Sequence, residues 1–258
     1  MDLVYPPVIR AAKLSFRLLG MRFQMSGLEN VPLTGGAVLA SNHVSYLDFI
    51  FAGLGPWEAH RRLVRFMAKD SVFRHKVSGP LMRGMHHIPV DRDAGAGSFD
   101  AALDALRGGE LVGIFPEATI SRSFRVKPIK SGAARLAEVA DVPLLPVAVW
   151  GGQRMMTKGH PRDFSRGRAI GIAVGEPVPV DAGPARATRL LRERMQALLD
   201  EVQARHPDTV PAPGPDAWWL PEHLGGSAPS LARAVEMDAA DRRSRAATPP
   251  DAVGTAGG

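Results

Sequence analysis

Ser41-Asn42-His43-Val44-Ser45-Tyr46-Leu47-Asp48 is the segment of this 258-residue chain with the clearest chemical content. A histidine held through one ring nitrogen by a carboxylate has a fixed tautomer. Its other nitrogen is then free to take a proton from a hydroxyl, and the carboxylate stabilises the imidazolium that results. No nucleophile from the chain is required where the acceptor's own hydroxyl attacks a carbonyl. Along a continuous helix, five residues would set the two side chains about 140° apart. His43 and Asp48 therefore meet only if the chain turns between them, for instance with Ser45 capping a helix that begins there. A second reading stays open: Ser45-x-x-Asp48 also fits a capping box, with Asp48 a helix starter and His43 an ordinary loop histidine.

The elements that would position these residues alternate. Short apolar runs suited to buried strands are Ala37–Ala40, Leu63–Met67, His87–Val90, Leu111–Phe115, Leu144–Val149 and Ile170–Val174. Helical spacing appears near Leu47–Leu54, Val72–Met82, Ser98–Leu106, Ala133–Val139 and Ala185–Ala204. Alternation of this kind predicts an α/β fold, a mostly parallel central sheet with helices on both faces. Active-site groups gather at the carboxyl ends of strands in such sheets. Three strands deliver polar groups there: His43 and Asp48 after the first run, Arg92 after the third, and Glu117, Thr119 and Arg122 after the fourth. An arginine can grip a phosphate through two parallel hydrogen bonds. Arg92 could equally be a solvated turn residue between Asp91 and Asp93, and Glu117 a helix-start carboxylate.

The ordered combination Asn42-His43-x4-Asp48 and Phe115-Pro116-Glu117 resembles the glycerolipid acyltransferase family, in its 1-acylglycerol-3-phosphate acyltransferase branch. The likeness spans roughly residues 25 to 175. It implies that His43 is the general base and Asp48 its orienting partner, with Arg92, Glu117, Thr119, Arg122 and Lys130 on the substrate. The implied reaction moves a fatty acyl group from acyl-CoA or acyl carrier protein to the free hydroxyl of a lysophospholipid, 1-acylglycerol-3-phosphate in that branch. A different lysolipid or an acylated amino-acid lipid is the alternative acceptor.

Two family blocks depart from their usual form. The second, usually Gly-x-Ile-Phe-Ile-Asp-Arg, is Gly84-Met85-His86-His87-Ile88-Pro89-Val90-Asp91-Arg92, two residues longer. The third, usually Phe-Pro-Glu-Gly-Thr-Arg-Ser, has Ala118 for the glycine and Ile120 for the arginine. That loss of a cation leaves Arg122, Arg125, Lys127 or Lys130 to replace it. Lys130-Ser131-Gly132-Ala133 and Val142-Pro143-Leu144-Leu145-Pro146-Val147 resemble the segments that follow in the family.

Composition bounds the rest. The net charge of +6 and the absence of cysteine point to an anionic partner, and exclude disulfides and thiolate chemistry. A second class of function, a non-catalytic basic module bound to membrane, accounts for the charge but not for His43, Asp48 and Glu117 following strands. No zinc spacing, P-loop or Gly-x-Ser-x-Gly elbow is present, so no metal and no bound cofactor are expected. Basic residues are not interleaved with aromatics, so nucleic acid is not expected as a partner.

Residues 1–25 are read as an amphipathic membrane-associating segment, helical from Val8 to Phe23, placing the protein peripherally on the cytoplasmic face of a membrane. Packing of that helix on its own domain is the alternative. Residues 26–206 would be the catalytic domain and 207–258 a Pro/Gly/Ala-rich tail, disordered from about residue 225. Within it, Trp218-Trp219-Leu220 is either a membrane-interface anchor or a plug on the domain.

Overall fold

A computed structural model describes residues 2–91, 95–209, 214 and 216–247. Its elements are α1 (Tyr5–Leu18), β1 (Arg22–Ser26), β2 (Ala37–Ser41), α2 (Asp48–His60), β3 (Val64–Lys69), α3 (Asp70–Arg74), α4 (Ser78–Gly84), β4 (Ile88–Val90), α5 (Gly95–Arg107), β5 (Leu111–Ile114), α6 (Gly132–Ala140), β6 (Leu144–Trp150), β7 (Ala169–Val174), α7 (Pro184–Arg205) and α8 (Leu231–Ala247). The seven strands form one sheet in the order β1-β7-β6-β2-β5-β3-β4. Every pairing is parallel except β6 with β7. The expected fold class is borne out.

β2 lies at the centre, between β5 and β6, and all five of its residues are buried. A strand covered on both faces has no polar side to show, which is why Ala37–Ser41 reads as an apolar run. Successive side chains still point opposite ways. Val38 and Ala40 pack with α5, α6 and α7 on one face; Ala37 and Leu39 pack with Phe51 and Ala52 of α2 on the other. Because Ala40 pairs with Ile114, β2 and β5 end side by side. That register carries the segments after both strands to one place.

The N-terminal helix is shorter than its spacing suggests. It ends at Leu18, and Gly20 takes φ +61°, with the Met21 N–H bonded back to the Phe16 carbonyl. This is the left-handed stop that glycine provides at a helix C-terminus. Phe23, expected on the helix, lies in β1 and still packs its ring 5.3 Å from Phe16. Tyr5, Val8, Ile9, Ala12 and Phe16 face the domain, while Leu14 and Leu18 are 58% and 65% exposed.

The expected single helix over Val72–Met82 is two short ones, α3 and α4, broken at His75. The tail is more ordered than its composition implies. Trp219 and Leu220 are buried against the domain, with Trp219 6.4 Å from Trp150 and beneath the Arg154 guanidinium, so this spot is a plug on the domain. Residues 231–247, read as disordered, form α8. Residues 248–258 lie outside the described part.

Candidate active site

After β2 the chain turns sharply before α2 begins at Asp48, and the turn closes the gap that a continuous helix would leave. His43 Nδ1 lies 3.1 Å from Asp48 Oδ2. The same oxygen accepts the backbone N–H groups of Val44 at 2.6 Å and Ser45 at 2.7 Å. Ser45 Oγ accepts the Leu47 N–H. The carboxylate reaches back to the Ser45 N–H, as the capping reading expects, but it also holds the histidine, and α2 begins at Asp48 after Leu47 with no side-chain cap from Ser45. Asp48 is fully buried. Burial pushes its carboxyl upward, while the hydrogen bond and charge of His43 and the N–H groups of Ser45 and Val44 pull it back. An acceptor on Nδ1 fixes the proton there and leaves Nε2 with its lone pair.

The turn is strapped on every side. Asn42 makes two hydrogen bonds to Val149 of β6, donating to its carbonyl at 3.0 Å and accepting from its N–H at 2.7 Å. Thr157 donates to the Val44 carbonyl, Ser45 Oγ to the Met156 carbonyl, and the Ser121 N–H to the His43 carbonyl. Glu117 Oε1 accepts the His43 N–H at 2.8 Å and its Oε2 the Lys127 N–H at 3.0 Å. Beneath the histidine, Phe115 stacks on its ring at 4.4 Å and Phe66 stacks on Phe115 at 5.8 Å. Gly113 leaves room for Phe66: a Cβ there would fall 2.4 Å from two atoms of the ring.

His43 sits on the wall of a cavity of about 900 Å³, toward the upper end of the roughly 300–1,000 Å³ usual for ligand pockets. The lining is overwhelmingly apolar and comes mainly from α1, α2, β3, α4 and α6, with single contributions from α3, β4 and β5 and two from α5. His87 also lines it, and its Nδ1 accepts the Phe66 N–H at 3.0 Å. Burial pushes its pKa down to about 4, so this imidazole is neutral at pH 7. Four lysines reach the cavity: Lys13, Lys69, Lys130 and Lys158. Lys13 pairs with Glu58 and Lys158 with Asp238 and Asp241. Among the described residues, Lys69 and Lys130 have no acidic partner.

The residues expected at the site divide accordingly. His43, Asp48, Thr119 and Lys130 come together at or beside the cavity. Glu117 is buried behind the turn with both oxygens on backbone N–H groups, so it holds the loop and does not face the cavity. Burial pushes its carboxyl up to about 8, against the opposing N–H groups of Lys127 and His43. Arg122 is not on the cavity wall and pairs with Asp241 at 2.9 Å. Arg92 lies outside the described residues. Ile120, at the family's arginine position, is buried against the cavity. Sequence reasoning gave no role to Asn42, Lys69, Thr157 or Lys158; none of them has a partner close in sequence that would reveal it.

Ala118 has φ +62°, in the left-handed region that costs a residue with a Cβ about 1–2 kcal/mol. The glycine usual at this position therefore answers to backbone geometry. Ala118→Gly is expected to raise the melting temperature by a few degrees, about 2–4 °C per kcal/mol in a domain this size. A thermal melt with no rise, or a fall, would contradict that account.

A histidine on a buried carboxylate, beside an apolar cavity at the carboxyl end of a mostly parallel sheet, is an arrangement that can take a proton from the hydroxyl of an apolar substrate. Residues 22–150 match the family model described as Acyltransferase, and the chain belongs to that family. It is 32% identical over 188 residues to 1-acyl-sn-glycerol-3-phosphate acyltransferase of Bacillus subtilis (strain 168), covering 67% of this chain and 86% of that protein. The Borreliella burgdorferi protein of the same name is 26% identical over 74% of this chain and 77% of its own length. The crystal structure of the 1-acyl-sn-glycerophosphate (LPA) acyltransferase PlsC from Thermotoga maritima shares the fold. It has a TM-score of 0.64 at 21% identity, covering 78% of this chain and 80% of that one.

Proposed function

We propose that this chain transfers a fatty acyl group from a thioester of coenzyme A or acyl carrier protein to the free hydroxyl of 1-acylglycerol-3-phosphate, yielding phosphatidate. The observation that carries the reading is the 3.1 Å His43–Asp48 contact on the wall of the apolar cavity. The names of the relatives from Bacillus and Borreliella support the choice of acceptor.

His43 Nε2 takes the proton of the acceptor hydroxyl as the hydroxyl oxygen attacks the thioester carbonyl carbon. Asp48 stabilises the imidazolium. When the carbonyl re-forms, the C–S bond breaks and the imidazolium returns the proton to the departing thiolate. Each group is back in its starting state, and the chain forms no covalent bond to the acyl group. The acyl chains lie against the apolar wall, and Lys69 and Lys130 add positive charge to the cavity.

The outer face of α1 carries Leu14 and Leu18 beside Arg10 and Arg17, all exposed. Apolar and basic groups on one exposed face suit the headgroup layer of an anionic bilayer. In this reading the protein lies on the membrane and draws its acceptor from it. No described helix is long and apolar enough to cross a membrane.

The test is a panel of vesicle-borne lysolipids, with glycerol 3-phosphate as the soluble control, incubated with one labelled acyl-CoA and read by mass spectrometry. Phosphatidate from 1-acylglycerol-3-phosphate is the expected main product. Ile120 in place of a cation favours a second acceptor class, a lysolipid with a larger headgroup or an acylated amino acid. Its exclusive acylation would replace the first reading. Sedimentation with the same vesicles is expected to fall when Leu14 and Leu18 become aspartate; unchanged sedimentation would remove α1 from the docking face.

A further inference from the structure

Arg122 and Lys127 lie in the loop between β5 and α6 and Lys158 in the one between β6 and β7, and each is tied to the turn that carries His43. Arg122 follows Ser121, whose N–H binds the His43 carbonyl; Lys158 follows Thr157, which binds the Val44 carbonyl. The Lys127 N–H binds Glu117, which also holds the His43 N–H. Lys158 lines the reaction cavity, and the Lys127 ammonium donates to Thr119, another lining residue. The three cations are therefore placed in fixed register with the base.

Two carboxylates of α8 occupy this cluster. Asp238 accepts from Lys127 and Lys158, each at 3.0 Å, and stands 3.7 Å from Arg122 Nε. Asp241 binds Lys158 at 2.5 Å and Arg122 at 2.9 Å. Two negative charges face three positive ones. Arg122 Nε is buried with no hydrogen-bond partner, so the carboxylates leave one donor of the cluster unmet.

Helix α8 buries little apolar surface of its own. Among its described side chains only Ala234 and Asp238 are buried, and Val235 is 46% exposed. One methyl group and one acid are buried, with Leu231, Met237, Ala239 and Asp241 half-buried beside them. Apolar burial of that size contributes little, so charge holds the helix, and a competing anion can replace that charge. Burial alone would raise the Asp238 carboxyl, but hydrogen bonds from Lys158 and Lys127 outweigh it and hold it below the ordinary value.

We propose that Arg122, Lys127 and Lys158 form a phosphate-ester subsite at the rim of the reaction cavity, and that α8 is a displaceable strap whose Asp238 and Asp241 occupy the subsite until an anionic ligand takes their place. Phosphate groups reach this site from two sources: the acceptor headgroup, or the phosphates of a coenzyme A donor. The inference rests on the acyltransferase reading only for those sources. A ligand that binds only when the strap has left binds more weakly by the fraction of molecules already open. Loosening the strap should therefore tighten binding.

The experiment is hydrogen exchange of the full chain with glycerol 3-phosphate, with coenzyme A, and with potassium chloride at matched ionic strength. Exchange of the α8 amides is expected to rise by roughly tenfold with a phosphate ester, with α6 and α7 unchanged. A rise with glycerol 3-phosphate assigns the subsite to the acceptor, and a rise with coenzyme A alone assigns it to the donor. No rise, or an equal rise with potassium chloride, overturns the proposal. In steady-state assays Asp241→Asn, and more so Asp238→Asn/Asp241→Asn, is expected to lower KM for the assigned substrate about threefold to tenfold with kcat within twofold. A merely structural helix gives unchanged or raised KM. Asp241→Asn leaves Lys127 its partner, and the exchange experiment needs no variant, so misfolding of the double variant leaves the test intact. Because exchange is read without turnover, a fully active His43→Ala variant would sink the catalytic reading and leave this result standing on its own.

Discussion

Turnover of His43→Ala is expected to fall by about 10²–10⁴-fold, the usual contribution of a positioned general base, while the protein remains folded. The structural duties at this position belong to the backbone. The His43 N–H binds Glu117 and its carbonyl accepts from Ser121, and alanine keeps both bonds. What the side chain adds to stability is its stack on Phe115, about 0.5–1.5 kcal/mol, and its bond to Asp48. Asp48→Asn separates the electrostatic part of the base from its presence. Because one oxygen serves His43 Nδ1 and the Val44 and Ser45 N–H groups alike, an amide oxygen in that place keeps the turn and the tautomer but removes the negative charge that stabilises the imidazolium. Turned the other way, the amide presents N–H to Nδ1, forces the proton onto Nε2 where the base must have a lone pair, and meets the Val44 and Ser45 N–H groups donor to donor, so that orientation loosens the turn as well. A loss of about 10²–10⁴-fold is expected again; in the serine-protease triad the same change costs about 10⁴. Initial rates and a thermal melt on both variants check the pair. Near wild-type turnover in a folded His43→Ala protein would end the proposal.

Glu117→Ala should act mainly on stability. Its two oxygens accept the N–H groups of His43 and Lys127 in a site where the side chain is 6% exposed. Alanine strands both donors, at about 1–3 kcal/mol each, and releases the turn from the loop that carries Lys127. Urea denaturation should show that loss, and kcat should drop at least about tenfold, because a small displacement of a catalytic group is costly to rate. Glu117→Gln keeps one acceptor and should fall between. The expectation from sequence, a carboxylate on the substrate, predicts a different result: a raised KM with stability unchanged. That outcome would return Glu117 to the cavity. Glu117 is thus a positioning residue in this structure, and denaturation separates that role from substrate contact.

Much of this molecule is legible without coordinates because its patterns are local. A buried parallel strand is an apolar run bounded by polar turns, so β2, β3, β5, β6 and β7 stand out. A histidine and an aspartate five residues apart can be seen as a pair needing only one turn. The failures are equally physical. The face of α1 repeats smoothly into β1, and the stop at Gly20 is a single residue whose left-handed backbone no periodicity records. Composition made the segment after residue 225 look disordered, because α8 is held by acids meeting bases more than 70 residues away in sequence and not by an apolar stripe.

The same division runs through the site. Residue types and spacing determined which group could be the base, which carboxylate could orient it, and that Ile120 leaves a family cation missing. Only the tertiary structure decided that Glu117 faces inward, that Lys69 and Lys158 reach the cavity, and that Arg122 is paired with α8. Direction is the reason: a side chain's partners depend on strand register and loop path, which long-range packing sets. The bond between His43 and Asp48 is short-range in the chain, whereas the clamps from Val149, Thr157 and Glu117 span 74 residues or more.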